Sequence, residues 1–193
     1  MKNDNKNNVK AGKQEGISLF KSNEVMMLIV LILVIAFFTV MNRNYLTYTN
    51  MTNILMAAST IGLLAIGETF LIIAGHIDLS SAHIASLFGV MTALLINTGL
   101  PWPLAIVIVV ICSSVVGIAN SCLVNIFGLQ PFIATLAMSS VCEGVAFLIC
   151  SGKSVPVNDK VYVEIGSMKI LGIPFPAILM VILFIIFGFV LAK

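Results

Sequence analysis

Apolar residues run along this chain in long blocks broken by short polar clusters, the pattern of helices surrounded by hydrocarbon. A helix rises about 1.5 Å per residue and needs about 20 mostly apolar residues to cross a bilayer core. Six blocks approach that length: Glu24–Met41, Ile54–Ala74, Ala82–Ile96, Pro103–Phe127, Phe132–Cys150 and Pro174–Leu191. The third is short and reads as a partial or steeply inserted helix. Turn formers mark the boundaries at Asn97-Thr-Gly-Leu-Pro101-Trp-Pro103, Gly128-Leu-Gln-Pro131 and Gly172-Ile-Pro174. Trp102 stands where an interfacial aromatic belongs. The longest polar connection is 151–172. The expected fold class is therefore all-α: a polytopic helical membrane protein with about six transmembrane helices.

One interruption differs from the others. Between the second and third blocks the chain reads Ala74-Gly-His-Ile-Asp78-Leu-Ser-Ser81, a helix break carrying a carboxylate and two hydroxyls. Gly75 can leave helical geometry at little cost, and Asp78, Ser80 or Ser81 can each accept from the free N–H groups opening the next helix. Polar irregular backbone between spanning helices is tolerated at the aqueous boundary, inside protein or beside a water-filled cavity. The corner near Gly75–Ser81 thus reads either as a capped loop or as part of a translocation path.

Composition agrees with the pattern. Of 193 residues, 60% are hydrophobic and 9% charged, against about 25% charged in a soluble domain. Lys2, Lys6, Lys10, Lys13 and Lys21 precede the first apolar block, opposed only by Asp4 and Glu15. By the positive-inside rule this N-terminus is cytoplasmic; residues 1–23 read as a disordered tail and 24–193 as the membrane domain. With six spans, 193 also lies in the cytoplasm and 151–172 lies outside. Val25–Met41 exceeds a signal-peptide core and has no Ala-x-Ala after it, so it reads as an uncleaved span. Cys112, Cys122, Cys142 and Cys150 lack Cys-x-x-Cys spacing and read as packing residues.

Small and polar residues recur at helical spacing in three blocks: Ala58, Gly62, Ala65 and Thr69; Ser113, Gly117 and Asn120; Thr135, Ser139, Cys142 and Ala146. Such stripes let membrane helices approach closely. Glu68 and Glu143 lie inside spans, where a carboxylate faces the bundle interior or a water cavity. Either is a proton site or a hydrogen-bonded structural group, and no Lys or Arg lies in a span interior to form a relay. His76 and His83, seven apart, share a face only if their helix begins early, and a metal site needs more ligands. Gly152-Lys153-Ser154 lacks the upstream glycine and the following helix of a phosphate-binding loop. Nothing reads as an enzyme, and no cofactor is expected.

Four stretches in order carry a resemblance. Ile72-Ile-Ala-Gly-His-Ile-Asp-Leu-Ser80 resembles the Gly-Gly-Ile-Asp-Leu-Ser signature of monosaccharide permeases of ABC importers, the ribose/xylose/galactoside type. Asn120-Ser-Cys-Leu-Val124 is similar to that family's Asn-Gly-x-Leu-Val, and Gln130-Pro-Phe-Ile-Ala-Thr-Leu136 to its Pro-x-Phe-Ile-x-Thr-Leu. Residues Gly144 to Lys153 with Val155-Pro-Val157 resemble the segment leading into its large external loop. His76, Ala82 and Ser121 stand at family glycines, and Glu143 stands where a basic residue is expected. The resemblance implies a sugar permease in the bacterial cytoplasmic membrane. It implies a cytoplasmic ATP-binding subunit, a second permease subunit and an external sugar-binding protein as partners, with the bilayer and no nucleic acid. Family permeases continue to about ten spans, so the expectation is the N-terminal part of a permease, truncated after about six. Candidates for lining its translocation path are Asp78, Ser80, Glu68, Asn120 and Thr135. The competing readings are a small proton-coupled secondary transporter using Glu68 or Glu143, and a non-transporting membrane fragment.

Overall fold

The computed structural model describes residues 23–192. The lysine-rich tail and Lys193 lie outside the described residues. The helices are α1 (Asn23–Met41), α2 (Tyr48–Ile73), α3 (Ser81–Asn97), α4 (Trp102–Asn125), α5 (Pro131–Ile149), α6 (Lys160–Ser167) and α7 (Phe175–Leu191). Two short strands, β1 (Lys169–Ile170) and β2 (Ile173–Pro174), pair antiparallel before α7. Among the described residues, α1, α2, α4 and α5 are long and apolar enough to cross a membrane, and α3 and α7 are shorter apolar helices. This is the all-α polytopic architecture that the hydrophobic blocks predict.

The chain forms two units, 1–53 and 54–193. In the first, α1 has no buried residue, as expected of a helix that is large and apolar over most of its surface. Its exit is ordered locally. Asn42 accepts from the Asn44 N–H, the Asn50 amide donates to the Tyr45 carbonyl, and the Tyr45 ring stacks on Phe38.

In the second unit the core is the packing of α3 against α5 and α4. Leu87 and Phe88 of α3 meet Cys142 and Ala146 of α5, with Met91, Val109 and Val116 around them. The small-residue stripe of α5 is the contact surface: Thr135, Ser139, Cys142 and Ala146 are all buried. Small side chains there bring the two helices close enough for the larger residues of α3 to fill the gap. Gly62 on α2 serves similarly, since a Cβ at that position would collide with the Met180 sulfur of α7. Phe70 and Phe187 make an edge-to-face contact farther along the same pair.

Proline opens three helices, within the first turn of α4, α5 and α7, where its missing N–H costs nothing. The largest departures from the predicted blocks lie in polar sequence. α2 begins six residues before Ile54, at Tyr48, because a helix extending beyond hydrocarbon needs no apolar pattern. The polar connection 151–172 is not plain loop. Asp159 caps α6 by accepting from the Tyr162 N–H, and Leu171 and Gly172, both at positive φ, form the two-residue turn of the β-hairpin. Asn97 at the end of α3 ties this connection down, donating to the Pro156 carbonyl and accepting from the Asn158 N–H.

The seam between α3 and α5 has no spare volume at Cys142, which is 2% exposed. Cys142→Leu is expected to lower stability by about 1–3 kcal/mol through overpacking. Val145→Leu on the exposed face of the same helix is expected to change it by less than about 0.5 kcal/mol. Denaturant titration of the purified protein in detergent measures both.

Candidate functional site

The break between α2 and α3 is made by the last turn of α2. Gly75 adopts φ +80°, the Gly75 N–H bonds the Ile72 carbonyl and the His76 N–H bonds that of Leu71. This is the glycine-terminated helix stop, and it turns the chain away at a position other residues adopt only under strain. The chain then runs through Ile77, Asp78 and Leu79 before α3 starts at Ser81.

This corner is set back from the end of the bundle. Ser80 accepts from the Asn120 side-chain amide at 2.8 Å, and Asn120 lies five residues, about 7.5 Å, before the end of α4. The Leu79 N–H donates to the Thr135 hydroxyl at 3.2 Å, and Thr135 lies four residues, about 6 Å, inside α5. The shortness of α3, 17 residues against 24 in α4, follows: it begins inside the bundle.

Satisfying backbone polar groups at such depth requires side chains, and the corner supplies them. One Asp78 oxygen, Oδ1, accepts both the Ser80 N–H and the Ser80 hydroxyl, each at 2.6 Å. These are charge-assisted bonds, stronger than neutral ones. Because the Ser80 proton is spent on Asp78, its oxygen must act as acceptor toward α4. That forces the amide nitrogen of Asn120 to face Ser80 and leaves Asn120 Oδ1 on the other side. It is the one buried side-chain polar atom, among the described residues, without a hydrogen-bond partner. The expectation that Asp78, Ser80 or Ser81 caps α3 is corrected here. Ser80 holds the N-cap position in helical geometry without a side-chain capping bond. Asp78 folds the residue ahead of the helix, and the Ser81 hydroxyl donates to Glu68 on α2.

Asp78, Ser80 and Asn120 are thus joined by hydrogen bonds, while Thr135 holds the neighbouring Leu79 N–H and Glu68 takes the Ser81 hydroxyl, so that all five side chains converge on 78–81. Beside it lies a cavity of about 280 Å³, walled by Leu71, Ile77, Gly117, Val124 and Pro131 and carrying His76, Asp78, Asn120, Ser121, Asn125 and Thr135. His76 and His83 do not share a helical face, because α3 starts only at Ser81. His83 instead turns to α5, where its Nδ1 meets the Ser139 hydroxyl at 2.7 Å and its Nε2 lies 3.7 Å from Glu143. The order hydroxyl, imidazole, carboxylate is that of a hydrolytic triad. Here, though, Ser139 is buried in the middle of α5, where backbone N–H groups are committed to the helix and cannot form an oxyanion hole. The roles of Ser81, Ser139 and His83 were not legible in the chain. Their partners are 13 to 60 residues away, and only the spacing of Ser139 in the α5 stripe hinted at an inward face.

Residues 50–193 match the family described as branched-chain amino acid transport system / permease component. The chain belongs to this permease family. Among its relatives, the D-allose transport system permease protein AlsC of Escherichia coli (strain K12) is 33% identical over 166 residues, 85% of this chain and 51% of that protein. The ribose import permease protein RbsC of Bacillus subtilis (strain 168) is 34% identical over 165 residues, 84% of this chain and 51% of the relative. The L-arabinose ABC transporter permease protein AraH of Azospirillum brasilense is 31% identical over 150 residues, 78% and 44% respectively. The chain therefore spans about half the length of the curated relatives it matches. No solved structure matches it. The corner, Asn120 and Thr135 all fall within the segment matched to the permease family.

Ser80 and Asn120 are expected to be energetically coupled. In a double-mutant cycle of Ser80→Ala and Asn120→Ala, measured by unfolding in detergent, the coupling should be at least about 0.6 kcal/mol, the usual size for a hydrogen bond between membrane helices. Additive single effects would mean that the bond across α3 and α4 contributes nothing.

Proposed function

We propose that this chain is a membrane-spanning permease component of an ABC-type sugar importer, and that the Asp78 corner lines part of its translocation path. The observation that carries the reading is the set of hydrogen bonds that Asp78, Ser80, Asn120 and Thr135 make at the corner. It holds irregular backbone and a carboxylate inside the bundle, next to a cavity. Irregular backbone at that depth is tolerated where it is packed in protein or lines a water-filled space. Here it does both. Ser80 is buried, while Asp78 is partly exposed to the cavity.

The sugar class is supported by the relatives, whose names specify allose, ribose and arabinose transport. Residues 24–193 form the permease domain in this reading. The N-terminus lies in the cytoplasm, as its lysines favour, and 151–172 faces the outside of the bacterial cytoplasmic membrane. The partners are a cytoplasmic ATP-binding subunit, which carries out hydrolysis, a second permease subunit and an external sugar-binding protein. The permease performs no covalent chemistry. Its work is to offer the sugar a polar path whose two ends open in turn, and differential binding of the partners to the two states drives that change.

Uptake of radiolabelled D-ribose, D-allose and L-arabinose, in cells expressing the chain with its cognate importer components, tests the proposal. Uptake of at least one of these sugars, and none of leucine, is expected. Asp78→Asn keeps an oxygen to accept from Ser80 and so should keep its membrane level. Without the charge, uptake is expected to fall about tenfold or more, the loss of roughly one charge-assisted hydrogen bond. Unchanged uptake by the Asp78→Asn protein would remove the charge of Asp78 from the path.

A further inference from the structure

The corner does not account for Glu143. This carboxylate lies on α5, six residues, about 9 Å, from the end at Ile149. Its side chain is 71% exposed. An ionised carboxylate at that depth cannot face hydrocarbon without a cost of several kcal/mol, so its surroundings must be water or polar protein. The structure provides such surroundings. A cavity of about 440 Å³ runs from Glu143 and His83 past Ser86 to Lys153, which lies beyond the end of α5. It is separate from the corner cavity and shares no lining residue with it.

The lining defines what fits. Ser139 places its hydroxyl on His83 Nδ1, and the carboxylate favours a proton on Nε2, so the imidazole holds Glu143 from one side at 3.7 Å. That separation is too long for a direct hydrogen bond and leaves the carboxylate oxygens with acceptor capacity to spare. As a carboxylate Glu143 accepts, as an ammonium Lys153 donates, and Ser86 can do both. Glutamate and lysine cancel in charge, so a ligand of no net charge that both donates and accepts fits the lining. Hydroxyl groups do this, as do the paired charges of a zwitterion. Phe147, Val90 and Ala146 provide apolar surface for C–H faces.

We propose that this cavity is a second sugar-binding site, facing outward. In it Glu143 accepts hydroxyls of a neutral, monosaccharide-sized polyol, Lys153 donates to it, and His83 with Ser139 positions the carboxylate. The choice of a sugar over a zwitterion rests on the proposed import function; the need for a ligand of no net charge that both donates and accepts rests on the lining.

Cys150 lines the same cavity and serves as a built-in reporter. The full chain, with Cys112, Cys122 and Cys142 replaced by Ala, is reconstituted in nanodiscs. Alkylation of Cys150 by a maleimide is timed against increasing D-ribose, D-allose or L-arabinose, with glycerol as the viscosity control and a Cys122-only protein as the control for non-specific effects. At least one sugar is expected to slow alkylation of Cys150 but not of Cys122. Glu143→Gln and Lys153→Gln are each expected to raise the half-protecting concentration about tenfold. His83→Ala should raise it by less, and for the Glu143-containing protein only. Lys153 lies outside the spans, so its variant keeps the test valid if Glu143→Gln fails to fold. Absence of protection by every sugar, or equal protection in both variants, overturns the site. Sugar uptake without protection would leave the import reading standing and remove this site. Protection without uptake would do the reverse.

Discussion

The corner depends on one constraint: a backbone that leaves the helix inside the bundle must still pair its polar groups. The chain meets it at 76–80 with a carboxylate two residues ahead of Ser80, so that Asp78 takes both the N–H and the hydroxyl of Ser80. The direction of that hydroxyl then dictates the orientation of Asn120 on α4. The Thr135 hydroxyl takes the Leu79 N–H from α5. Three helices are thereby registered on five consecutive residues. The small-residue stripe of α5 and the apolar face of α3 close on each other in that register.

Much of this was legible in the chain. Six apolar blocks predicted the six long or apolar helices to within a few residues, except at the start of α2. Hydrocarbon imposes a length and a polarity that sequence displays directly. Gly75 and the prolines marked the stops and starts for reasons of backbone geometry alone. The candidate residues of the corner, chosen one by one, all make hydrogen bonds within or to the stretch 78–81. What could not be read was pairing. Glu68 was visible as an intramembrane acid, but not its bond to Ser81; Glu143 was visible, but not His83 and Ser139. Such pairings are set by helix rotation and crossing, which no local pattern encodes. α6 and the hairpin were missed for another reason. Eight and six residues are too few to show a period, and Leu171 adopts a positive φ that its type disfavours.

The polar groups of this bundle divide between its two ends. Around the corner they are mostly spent on one another, which gives a rigid, well-paired elbow beside a modest recess. Around Glu143 they are only loosely paired and face a larger cavity toward the opposite end. Ser139 and His83 stand between the two, on the α3–α5 seam.

The central claim is that the corner is a water-accessible recess inside the bundle and not a loop packed in lipid or sealed in protein. Ser121 lines the cavity together with Asp78. In a cysteine-free background, a Ser121→Cys protein in inverted membrane vesicles can be exposed to a membrane-impermeant, charged thiol reagent on the cytoplasmic face. Modification is expected there, and a Gly117→Cys protein, altered on the same cavity wall, should react with the same reagent. Reaction only with a lipid-soluble reagent, and none with the charged one, would contradict the account.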